Sequence, residues 1–152
     1  MILRKYSVLC LLMLPLSGAA LADGFRLLGR EGRQAEYEGT LVVSGRFERR
    51  QDAATLDWRG DRVCFYPDAA ALARLPHDAG SKSNVSFCFS NHRAATEKLQ
   101  LAAAPAAGTC GVAGTATVAI SHYVAESGGD VFDQAWLEHV EKQGPNTPLR
   151  CP

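Results

Sequence analysis

Val112-Ala113-Gly114-Thr115-Ala116-Thr117-Val118-Ala119-Ile120-Ser121-His122-Tyr123-Val124 is the longest regular pattern in the chain. Val112, Gly114, Ala116, Val118, Ile120, His122 and Val124 share one face, and Ala113, Thr115, Thr117, Ala119, Ser121 and Tyr123 share the other. A period of two marks a strand with one face on a core. The parity predicts that His122, the one polar side chain of the apolar face, points inward and that Tyr123 points out. Ser121 and His122, as strand neighbours, are expected on opposite faces, where they cannot act together. Gly128-Gly129 ends the pattern.

Working upstream, the same alternation recurs three times. Leu41, Val43 and Phe47 predict a strand over Gly39–Arg49, with Gly45 on the inward face, where a missing side chain permits a bend or bulge. A second strand signal covers Thr55–Tyr66, interrupted at Arg59-Gly60-Asp61 and stopped by Pro67. Asp68 then caps a short helix, Ala69–Leu75, ended by Pro76. His77 to Asn84 reads as a polar loop, and Val85, Phe87 and Phe89 as a third strand. Ser90-Asn91 offers a cap for a helix over Arg93–Leu101, followed by an Ala/Pro linker to Gly108. Downstream, Val131–Lys142 carries both helical and strand spacing; a turn at Asp133 followed by a short strand closes an all-β structure best. Pro145 to Pro152 is expected to be extended.

The start of the chain gives an address. Arg4 and Lys5, the apolar run Val8–Leu16 and the ending Ala20-Leu21-Ala22 have the layout of a secretory signal peptide. The run is too short for a bilayer core of about 30 Å, which needs roughly 20 apolar residues. Cys10 lacks the small residues that precede a lipid-modified cysteine, so no membrane anchor is expected after cleavage. Residues 1–22 are thus a leader, 23–38 a polar N-terminal arm, flexible or laid on the fold, and 39–152 one domain. After the leader, fourteen basic residues face sixteen acidic ones, a formal charge of −2 with no run of one sign. Such a surface lacks the basic stripe that nucleic acid or anionic lipid requires. The pair Arg49-Arg50 is flanked by Glu48 and Asp52 and reads as a solvated strand end.

Four cysteines remain beyond the leader: Cys64, Cys88, Cys110 and Cys151. An even number in an exported chain reads as two disulfides. Cys64 and Cys88 both fall on the non-core face of adjacent strand patterns, which favours a cross-strand bond between them. Cys110–Cys151 would then pin the tail to the long strand. The closed loops, of about 25 and 42 residues, are worth on the order of 3.5 and 4 kcal/mol in the chain-entropy model.

Catalytic and metal-binding motifs are scarce. No Cys-x-x-Cys, His-x-x-x-His, His-Glu-x-x-His or Gly-x-Ser-x-Gly occurs, and neither a metal nor a cofactor is expected. His77 and His92 read as surface residues, and His139, near Glu138 and Glu141, as an exposed ion pair. Asp130 and Asp133 read as turn and cap residues rather than an acid/base dyad, and Asn84-Val85-Ser86 is a weak glycosylation signal. His122 is the one candidate for a buried imidazole with a shifted pKa. Trp58, Tyr66 and Tyr123 are the candidate partner contacts, since aromatic residues are enriched where proteins meet.

Together these patterns predict a mainly β domain with short helices, a small five-stranded barrel stapled by two disulfides. The bent first strand, mid-chain helix and long late strand resemble, in outline only, an oligonucleotide/oligosaccharide-binding (OB) fold. No family motif is matched, and no site residue is carried over. The expected function is that of a periplasmic or secreted, non-catalytic protein that binds another envelope or secreted protein, as an inhibitor, immunity protein or envelope-assembly factor. The alternatives are a barrel that binds a small ligand or glycan and, third, a small enzyme using His122.

Overall fold

The computed structural model describes residues 24–76, 86–128 and 132–151. Its elements follow the chain as β1 (Gly24–Glu31), β2 (Gln34–Arg50), α1 (Ala53–Arg59), β3 (Val63–Pro67), α2 (Ala69–Leu72), β4 (Phe87–Phe89), α3 (His92–Lys98), β5 (Thr109–Glu126), β6 (Asp133–Gln143) and β7 (Thr147–Arg150). Five strands close a ring of pairings in the order β2-β3-β4-β6-β5 and back to β2. Every pair in the ring is antiparallel except β4 with β6. The domain is therefore mainly β with short helices, an OB-like ring in outline. β1 adds to β2, and β7 to the start of β5.

The alternating residues build the core as the sequence pattern predicts. Leu41, Val43 and Phe47 of β2, Val63 and Phe65 of β3, and Val118 and Ile120 of β5 are all buried inside the ring. Phe65, Phe87, Phe89 and Tyr123 form an aromatic centre, with Phe87 5.4 Å from Phe65 and 5.9 Å from Tyr123 between ring centroids. Each such burial contributes about 1.5–3 kcal/mol against leaving the ring in water. Gly45 is required by close packing, because a Cβ there would run into the Tyr66 carbonyl, whereas the irregularity of β2 lies not at Gly45 but between Tyr37 and Thr40.

Both disulfides are present. Cys64 and Cys88 pair directly across β3 and β4 with Cα atoms 3.9 Å apart. That lies nearer the roughly 4.5 Å of a non-hydrogen-bonded strand pair than the roughly 5.5 Å of a bonded one. They lie outside the main core cluster, yet both are buried. Cys110–Cys151 ties the start of β5 to the end of the chain, at 4.9 Å.

Several expectations are corrected. Residues 53–59 are helix, not strand: Asp52 caps α1 by accepting from the Thr55 amide at 2.9 Å, and Gly60 ends it at φ +70°. Residues 24–38 are not a loose arm. They form β1 and extend β2 into a hairpin that turns at Gly32, where φ is +58°. β6 starts at Asp133 itself, so no turn intervenes there. Arg49 is buried rather than solvated; its guanidinium binds both carboxylate oxygens of Asp61, at 2.7 and 2.6 Å, and donates to the Ala102 carbonyl at 2.7 Å. α2 and α3 are shorter than predicted. Asn91 leaves the cap of α3 free to exchange two hydrogen bonds with the backbone of Leu137, acting as an extra rung beside β6. The leader, His77, Asn84, Val85 and Asp130 lie outside the described residues.

The largest correction concerns the end of β5. The pairing with β6 slips between Ser121 and Val124, and His122 takes a left-handed φ of +48°. An L-residue there costs roughly 1–2 kcal/mol. The slip reverses the parity: His122 is exposed, and Tyr123 is fully buried.

Candidate functional site

α1 and the segment before β6 bring an exposed and a half-buried aromatic ring together. α1 is short and leaves Leu56 and Trp58 facing solvent, with Trp58 62% exposed. The Trp58 ring packs on Phe132 at 5.3 Å. Arg59 sits against both rings, its Cζ 5.6 Å from Trp58 and 5.5 Å from Phe132. Its Nη1 donates to the Tyr66 hydroxyl at 3.4 Å, while Arg46 covers the Tyr66 ring at 4.7 Å. The guanidinium thus joins Trp58 and Tyr66, two residues that the sequence marks separately. Tyr123, the third, is buried and takes no part.

Charge on this surface is arranged by pairing. Arg46 and Arg50 both bind Glu48. Burial opposes ionisation of Glu48, but the two guanidiniums outweigh it and hold the carboxyl below its ordinary range. Arg59 has no carboxylate among its contacts in the described residues, and its Nε is buried with no acceptor. A buried unpaired donor costs about 1–3 kcal/mol. An acceptor supplied from outside would recover that. Arg59 and Phe132 carry no mark in the sequence, since a cation over a ring exists only once the chain is folded.

A second cluster surrounds His122. The turned-out imidazole stacks on Trp136 at 4.2 Å, and Trp136 is 44% exposed. The Ser121 hydroxyl lies 2.8 Å from His122 Nδ1 and donates to Glu138 Oε1. The adjacency of Ser121 and His122 therefore does bring them into contact, because the left-handed turn takes His122 out of strand geometry. The order of the contacts is still unlike that of a catalytic triad. Serine stands between histidine and carboxylate, whereas nucleophile activation needs histidine in the middle.

The remaining candidates are structural. The Tyr123 hydroxyl donates to Asp133 Oδ2 at 2.5 Å, and the Glu126 amide donates to Oδ1 at 2.8 Å. Burial, reinforced by the Asp133 charge, pushes the Tyr123 phenol well above its usual range. Asp133 thus clasps the end of β5. His139 pairs with Glu141 at 3.7 Å on the surface, as its neighbours suggest. Among the described residues no group of three or more His, Cys, Asp or Glu side chains is placed to hold a metal. Among the same residues no helix is long and apolar enough to cross a membrane. Two disulfides fit an oxidising compartment. Compared with known proteins, the chain matches no family model, no curated protein sequence and no solved structure.

Proposed function

We propose that the chain is an exported, non-catalytic periplasmic binding protein that holds another envelope or secreted protein through the Trp58–Arg59–Phe132–Tyr66 surface. It would serve as an inhibitor, an immunity protein or an assembly factor. The observation that carries the proposal is Arg59: its guanidinium lies against the exposed Trp58 ring and the half-buried Phe132 ring, while its buried Nε lacks an acceptor. Trp, Tyr and Arg dominate the energetics of protein interfaces, where they sit in desolvated centres. Position adds support. In OB folds the loops between strands one and two and between strands four and five hold ligands. In the present ring α1 lies between the first two strands, β2 and β3, and Phe132 between the last two, β5 and β6. The leader pattern and the disulfides suit a periplasmic site of action, and the net charge of −2 after the leader argues against nucleic acid as the partner.

The test is capture from envelope extract by the oxidised chain from residue 23 onward. One protein should be retained and lost on Trp58→Ala and Arg59→Ala, with the melting temperature of each variant unchanged. Equal capture by wild type and Trp58→Ala would refute the surface. A turnover that His122→Ala abolishes in folded protein would refute the non-catalytic assignment.

A further inference from the structure

A groove of about 540 Å³ opens on the outer face of the ring, next to the aromatic surface. Ser44, Arg46, Tyr66, Asp68, Thr117 and Lys142 supply its chemistry. Strand register explains their convergence. Lys142 pairs with Thr117, and Thr117 with Ser44, so one row crosses β6, β5 and β2. Arg46 pairs with Tyr66 in the neighbouring row. On the floor the hydroxyls of Ser44 and Thr117 lie 2.9 Å apart. Lys142 is exposed and makes no ion pair among the described residues. Arg46 is committed to Glu48 and to the Tyr66 ring. Asp68 uses Oδ1 on the Ala71 amide at 2.8 Å and leaves Oδ2 without a partner among the described residues.

We propose that this groove binds an acidic saccharide. Paired hydroxyls both donate and accept, a half-committed carboxylate accepts from ring hydroxyls, and an unpaired ammonium neutralises one carboxylate. The volume falls within the range of small-molecule sites, about 300–1,000 Å³. A compact phosphate dianion fits less well. Arg46 is already held by Glu48, so no free fork remains for bidentate binding, and Asp68 repels two charges concentrated on one compact group more than carboxylates spaced one to a sugar ring. In the bound state Lys142 meets the saccharide carboxylate, while Ser44, Thr117 and Asp68 meet hydroxyls. The groove adjoins the proposed protein contact, sharing Tyr66 and the Arg46 that covers its ring, and extends beyond it to Ser44, Asp68, Thr117 and Lys142.

Calorimetric titration of the oxidised chain tests it, with trigalacturonate, monomeric galacturonate, neutral maltotriose and inorganic phosphate as probes. Trigalacturonate should bind saturably and weaken about tenfold or more on Lys142→Ala, and likewise on Thr117→Val. Maltotriose should bind at least about tenfold more weakly, and Trp58→Ala should leave trigalacturonate affinity unchanged. A monomer that binds as tightly as the trimer identifies a free sugar acid as the source, and preference for the trimer identifies a glycan chain; either supports the site. No saturable binding of either acidic sugar, equal binding of maltotriose, phosphate binding as tightly with the same dependence on Lys142, or indifference to Lys142→Ala would overturn it. Loss of saccharide binding with protein capture intact would leave the protein-binding proposal standing, and the reverse holds as well.

Discussion

The two disulfides do different work in the same domain. Cys64–Cys88 is buried and joins two neighbouring strands of the ring, one of them, β4, only three residues long. Cys110–Cys151 spans a longer stretch, 41 residues against 24, and ends at an exposed Cys151. Closure entropy alone ranks the longer loop as slightly more stabilising, about 4 against 3.5 kcal/mol. That entropy acts on the unfolded chain, whereas burial acts on the folded one. Around Cys64–Cys88 the alternate residues Val63, Phe65, Phe87 and Phe89 pack the core. Around Cys110 the supports are polar: the Gln51 amide donates to the Cys110 carbonyl at 2.9 Å, and Arg49 clamps Asp61. Packing and entropy thus favour opposite bridges.

Removing each bridge decides between them. Cys64→Ala with Cys88→Ala should cost about 5 kcal/mol in urea unfolding, since a cavity and a loosened β4 add to the lost constraint. Cys110→Ser with Cys151→Ser should cost about 2–4 kcal/mol and leave the ring intact by near-ultraviolet circular dichroism. The reverse order would mean that closure entropy outweighs packing. Next in size, Tyr123→Phe removes the phenol that binds Asp133 and should cost about 1–2 kcal/mol in the same measurement. No loss would show that the core ring, not the hydroxyl clasp, holds the end of β5.

The polar side of the comparison carries a pH signature. Hydrogen bonds from Arg49, opposed by partial burial, hold the Asp61 carboxyl below its ordinary range. A carboxyl whose folded pKa is depressed stabilises above its unfolded value, near about 3.9, and loses that stabilisation as pH falls through the folded value. The melting temperature of Asp61→Asn should therefore fall less steeply than that of wild type below about pH 4. Parallel acid limbs would show that the clamp adds nothing. Smallest of all, Trp58→Ala should change stability by no more than about 0.5 kcal/mol, as expected for an exposed side chain kept for contact. A larger loss would make Trp58 part of the scaffold.

How far the fold was legible depends on whether a segment faces a core. Leu41, Val43, Phe47, Val118 and Ile120 each present one side to the interior, so their alternation appears in the sequence. β1 is largely exposed along its length and held by backbone pairing to β2, which leaves no apolar period to read. α1 was hidden because its apolar residues, Leu56 and Trp58, face solvent, although Asp52 was a visible cap. The parity of β5 failed at His122 because a register slip is a tertiary event, unmarked by glycine or proline. Trp58 and Tyr66 could be singled out as aromatic residues, but only folding brings Arg59 between them.

One further property follows from the order of the bridges. Cys64 pairs with Cys88 and Cys110 with Cys151, so the four cysteines beyond the leader pair in order of appearance, first with second and third with fourth. A polypeptide emerging amino end first exposes them in that order. An oxidant that links thiols as they appear makes the native pairs directly, and no crossed bond has to be reshuffled. The topology asks more of the backbone, since β4 waits for β6 to arrive after β5. The first bridge can hold β4 against β3 during that interval, a covalent placeholder for a strand whose second neighbour has not yet been delivered.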